Sequence, residues 1–111
     1  MNIKKQLLEL LKKTVVELVK SDFESIKAKL GNDIQLEDIK EELSYWDSLT
    51  IPPEYAYEKV EFYEYEDGSG LGLEFDLWID NEVSDLTLSC EAILDKNNNV
   101  LSFKIENLHT L

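Results

Sequence analysis

Leu71-Gly72-Leu73-Glu74-Phe75-Asp76-Leu77-Trp78-Ile79-Asp80 alternates apolar and polar residues almost without exception. A period of two places Leu71, Leu73, Phe75, Leu77 and Ile79 on one face of a strand and Gly72, Glu74, Asp76, Trp78 and Asp80 on the other. Downstream, residues 84–94 repeat the pattern, with Leu86, Leu88, Cys90, Ala92 and Leu94 inward and Asp85, Thr87, Ser89 and Glu91 outward. Residues 100–108 put Leu101, Phe103 and Ile105 inward and Ser102, Lys104 and Glu106 outward. The joints Asp67-Gly68-Ser69-Gly70, Asp80-Asn81-Glu82 and Asp95-Lys96-Asn97-Asn98-Asn99 are rich in tight-turn residues, so the strands form an antiparallel meander. A further strand over about 56–66 is less regular: Val60 and Phe62 oppose Tyr57, Tyr63 and Tyr65.

Upstream of this sheet the period lengthens to that of a helix. Ile3, Leu7, Leu10, Leu11, Val15, Leu18 and Val19 recur every three or four residues as a single apolar stripe. Ser21 with Glu24 reads as a capping box for a second helix through Phe23, Ile26 and Leu30, closed by Gly31-Asn32. A third helix follows from about Gln35 to Leu43. Residues 44–54 form a connection, since Pro52-Pro53 excludes helix and central strand. The expected architecture is one α+β domain over residues 1–111. Its helices (about 2–43) lie on one face of a four-stranded antiparallel meander sheet (about 56–108), in outline cystatin-like or NTF2-like.

Charge narrows the function. The 111 residues carry 11 basic and 24 acidic side chains, a formal net charge of −13, and every basic residue is lysine. Residues 1–31 are net +3, whereas residues 32–111 are net −16. Without arginine and with this balance, the chain is not expected to bind nucleic acid or anionic membranes directly. The lone cysteine and the absence of a signal-like apolar run lead to the expectation of a cytoplasmic protein.

Catalytic constellations are thin. A lone His109 near the chain end and an inward Cys90 build neither a zinc site nor a nucleophile–base pair. Gly68, Gly70 and Gly72 sit in a hairpin with no following helix to anchor a phosphate. Asp95, Asn97 and Asn99 imitate part of a calcium loop, but Val100 replaces its glycine. Crowded open carboxylates lack the apolar pocket that general-acid catalysis requires. The expectation is a protein that is not an enzyme and uses no cofactor and no metal.

What remains is the uncovered face of the sheet. Trp78, between Asp76 and Asp80, exposes aromatic surface where the helices do not reach, or else folds down over a neighbouring strand or under the 44–54 loop. The partner-binding candidates are Trp78, Glu74, Asp76, Asp80, Asp85, Glu91, Tyr63, Tyr65 and Glu64. An aromatic centre ringed by carboxylates suits a basic protein surface.

The layout of N-terminal helices, a Pro-Pro connection, a β-meander and an acidic balance resembles the small immunity proteins of bacterial toxin–immunity systems. Ser84-Asp85-Leu86-Thr87-Leu88 and Ile105-Glu106-Asn107-Leu108-His109-Thr110-Leu111 also resemble a family of small bacterial domains. The immunity resemblance implies a cytosolic inhibitor that neutralises a basic toxin domain by tight association. It carries no site residues over. Three other readings stay open: a small-ligand-binding cystatin-like or NTF2-like domain, a nucleic-acid mimic, and a homodimer formed through the aromatic face.

Overall fold

The computed structural model describes residues 3–110; the expected helix start at residue 2 and the final Leu111 lie outside them. Helix α1 runs Ile3–Val19 and buries Leu7, Leu11, Val15 and Leu18. Ser21 then takes a left-handed turn (φ 56°), which moves the expected cap one residue on. Asp22 caps α2 (Phe23–Ala28), accepting from the Ser25 N–H at 3.4 Å and the Ser25 hydroxyl at 2.8 Å. Helix α3 spans Leu36–Ser44, and the Asp38 carboxylate holds the Gln35 N–H at its start (2.8 Å).

The sheet has five strands rather than four. The extra one, β1 (Leu49–Thr50), lies in the stretch expected to be plain connection. It is followed by a 3₁₀ segment, Glu54–Lys59, and by β2 (Glu61–Glu64), β3 (Gly70–Ile79), β4 (Glu82–Leu94) and β5 (Val100–Thr110). β2 to β5 form the expected antiparallel meander, and β1 pairs with the same edge of β3 as β2. β1 takes residues 78–79 of that edge and β2 takes residues 71–74, so residues 75–77 have no strand beside them.

The expected strand over 56–66 is shortened because Pro53 starts a 3₁₀ turn, with the Ala56 N–H bonded to the Pro53 carbonyl at 3.0 Å. Tyr57 thereby turns inward, not outward. It stacks on Phe75 with ring centroids 4.8 Å apart and planes 2° from parallel, and the Lys12 ammonium lies 5.2 Å from its ring centre. Burial pushes its phenol up to about 12.

A single core joins the α1 stripe, Ile26 and Ile39 to Leu71, Leu73, Phe75, Leu77, Leu86, Leu88, Cys90, Ala92 and Ile105. The alternation fails at Leu101, which is 65% exposed. There Leu94 pairs with Val100 and Ile93 with Ser102, so a bulge inserts Leu101 and throws it out of phase. Gly31 does not close a helix in the left-handed conformation. It allows the chain to approach β5: its N–H bonds to the Ile105 carbonyl at 2.8 Å, and a Cβ there would stand 3.0 Å from that oxygen. The same crossing brings Lys29 Nζ to 2.5 Å from Glu17 Oε1 and 3.2 Å from the Thr14 hydroxyl, in a largely buried pair that ties α2 to α1. No helix among the described residues is long and apolar enough to cross a membrane.

Candidate functional site: the uncovered face of the sheet

Because the helices fill one side, register assigns the other. Across β3 and β4, Gly72 faces Glu91, Glu74 faces Ser89, Asp76 faces Thr87 and Trp78 faces Val83. β5 adds Lys104, Asn107 and His109, and β2 adds Glu61 beside Glu74 and Tyr63 beside Gly72.

Hydrogen bonds fix several of these side chains. The Thr87 hydroxyl, fully buried although it points to the open side, donates to Asp76 Oδ1 at 2.9 Å. The Ser89 hydroxyl donates to Glu74 Oε2 at 3.2 Å, and His109 Nε2 lies 3.2 Å from the same hydroxyl. Tyr63 donates to Glu61, and Tyr65 reaches across Gly72 to Glu91 Oε2 at 2.6 Å. Bonding to carboxylates favours the protonated phenol, so Tyr63 is held well above its ordinary value and Tyr65 is pushed up to about 12. Glu106 is raised as well, first by desolvation and then by the neighbouring Glu91 carboxylate.

Ser89, His109 and Glu74 invite comparison with a nucleophile relay, but their geometry differs. A relay needs the acid on one ring nitrogen and the hydroxyl on the other. Here Glu74 Oε2 approaches Nε2, at 4.0 Å, the nitrogen that already meets Ser89. Cys90 points into the core, where burial pushes its thiol up to about 12 and withholds the thiolate. Asp95 closes its own turn, accepting the Asn99 N–H (2.9 Å), the Asn99 side-chain amide (3.2 Å) and the Asn97 N–H (2.8 Å), which lowers its pKa.

Trp78 is half-buried. Its ring meets Tyr55 edge to face, with centroids 6.0 Å apart and planes at 78°. Its position depends on an irregularity in β4: between the Asp76–Thr87 and Trp78–Val83 pairs, β4 carries two more residues than β3. Ser84 fills the gap by donating to the Leu77 carbonyl (2.6 Å) and accepting from the Leu86 N–H (3.2 Å).

The sequence-derived candidates therefore divide. Trp78, Glu74, Asp76, Glu91, Tyr63 and Tyr65 share the uncovered face. Asp80, in the left-handed turn at φ 49°, and the bulged Asp85 stand at its end, around a shallow depression also lined by Asp47 and Glu82. Glu64 pairs with Leu71, so it belongs to the helix side, near Ile3 and Lys4. Tyr55 and His109 complete the face and were not singled out for it from sequence. Tyr55 follows two prolines with no periodic context, and His109 is held in β5 opposite Thr87 rather than fraying at the chain end.

A family model described as "Domain of unknown function (DUF7668)" matches residues 15–111. Comparison with curated proteins and with solved structures gives no match.

Proposed function

The chain belongs to this family of domains of unknown function, and from its own geometry we propose that it is an acidic, cytosolic, non-catalytic binding protein whose uncovered sheet face docks a basic protein partner. The observation that carries this reading is the pair of a half-buried Trp78 and an exposed Tyr55 beside Asp76, Glu74 and Glu61. Glu61 stands directly opposite Glu74, an arrangement that costs folding stability, since like charges across a strand pair repel. Among the described residues neither Glu61 nor Asp76 has a lysine within ion-pair distance. A face that concentrates unpaired negative charge around aromatic surface gains its compensation from a cationic partner.

Within that class we favour an immunity-type inhibitor of a basic toxin domain, because a net charge of −13 speeds encounter and central aromatics slow release. The test uses the wild type and Trp78→Ala as paired baits in the native cells. A basic protein should be retained by the first and lost from the second, and co-expression of the first should protect cells from it. Trp78→Ala should weaken binding by about 2 kcal/mol or more while changing folding stability less. Raising salt to about 0.5 M should slow association. Equal losses of binding and stability, or an association rate indifferent to salt, would remove the docking reading.

A further inference from the structure

We propose that the cleft beside Trp78 is a receptor for a single arginine side chain. The inference rests on the docking reading only for the source of that arginine, a protein partner. The cleft exists because β1 and β2 share one edge of β3 and leave residues 75–77 unpaired between them. The 3₁₀ segment spans this gap without filling it, and a cleft of about 460 Å³ remains. Tyr55 and Trp78 line it as walls, Ala56 and Phe75 lie deeper, and Asp76 and Glu61 supply the carboxylates. Phe75 is 3% exposed and stacked on Tyr57, so that part of the lining is anchored in the core.

Each part suits a guanidinium. Two aromatic rings line the cleft, and the face of such a ring is the negative side of its quadrupole, which attracts a cation. Arginine is planar and weakly hydrated and stacks on such faces, whereas a lysine ammonium is a strongly hydrated point charge. Asp76 is already oriented through Oδ1 by the Thr87 hydroxyl, and its Oδ2 has no protein partner among the described residues. An apolar occupant would strip water from Asp76 and Glu61 and return nothing for it, and an anion would be repelled. The volume exceeds one side chain, so the stem and adjoining backbone of the partner also fit. Lys59 lines the same cleft as its only cation among the described residues, where it competes with an incoming guanidinium.

The test titrates N-acetyl-arginine methylamide into ¹⁵N-labelled protein and follows the two indole N–H signals, assigned with Trp46→Phe. Trp46 bonds to Glu42 (3.4 Å), lines no part of this cleft and serves as the internal reference. The Trp78 signal should shift saturably while Trp46 stays. The neutral citrulline analogue and the Asp76→Asn variant should each bind about tenfold more weakly, the loss expected for a hydrogen bond between charged groups. The lysine analogue should bind more weakly than the arginine compound, and Lys59→Met should strengthen arginine binding. Equal movement of both indoles, or citrulline matching arginine, overturns the proposal. Arginine binding without any basic protein retained would sink the docking reading and leave the cleft. A basic protein retained through Trp78 with no arginine binding would do the reverse.

Discussion

The two faces of β3 and β4 are built from alternate residues of the same strands, yet they answer to different demands. On the helix side, Leu73, Leu77, Leu86 and Leu88 are at most 1% exposed, and their composition is what packing requires. On the other side, Glu61 opposes Glu74, and Glu91 crowds Glu106. No packing argument selects those neighbours. The first face holds the fold together; the second spends some of that stability on a surface. Substitutions one residue apart should therefore have different consequences.

The largest effect should come from the covered side. Leu88→Ala, at a fully buried position, should lower unfolding free energy by about 2–5 kcal/mol, whereas its neighbour Ser89→Ala should cost under about 1 kcal/mol, as read from urea midpoints. Similar values for the two would break the contrast. Next, Lys29→Met should cost about 3 kcal/mol, because it strands the largely buried Glu17 carboxylate. The double variant Lys29→Met with Glu17→Leu should recover much of that loss in the same denaturation assay.

A smaller effect separates the faces by titration. Tyr57 is raised mainly by burial on the covered side and Tyr65 mainly by its bond to Glu91 on the open one, each to about 12 from 10.0. A phenol raised in the folded state contributes stability that is intact below pH 10 and is lost as pH climbs through about 12. Denaturation midpoints should fall across that window. Glu91→Gln should bring the Tyr65 phenolate transition down and leave that of Tyr57, as followed by ultraviolet absorbance. The smallest effect belongs to Glu106, whose raised pKa means that its ionisation opposes folding above its unfolded value of 4.5. Glu106→Gln should add a few tenths of a kcal/mol at pH 7 and nothing at pH 4.

The strands were readable wherever alternation ran unbroken. Leu71 to Leu77 and Leu86 to Ala92 lie on the face that their period assigns. Reading failed where backbone geometry overrode period. The inserted residue at Leu101 reversed its facing, the 3₁₀ turn after Pro53 carried Tyr57 inward, and Ser21 gave up its capping role to Asp22. The candidate face was legible on β3 and β4 and at Tyr63 and Tyr65. Glu64 was grouped with this face for its charge, although it lies between the outward Tyr63 and Tyr65 and alternation turns it to the helix side. Tyr55 was missed because an aromatic in a proline-led connection carries no periodic signal, and only the tertiary contact with Trp78 places it beside this face.

The crossing at Gly31 bears on how much free edge the sheet presents. Residues 29–31 bind the middle of β5, and bulges interrupt that strand near Leu101 and between Ile105 and Leu108. The outermost row of amides and carbonyls is thus broken into short lengths, and the opposite rim consists of the two residues of β1 and the four of β2, with residues 75–77 of β3 unpaired between them. Edges this short and this acidic disfavour the addition of a foreign strand at both margins, so the docking reading calls for side-chain contact across the flat of the sheet.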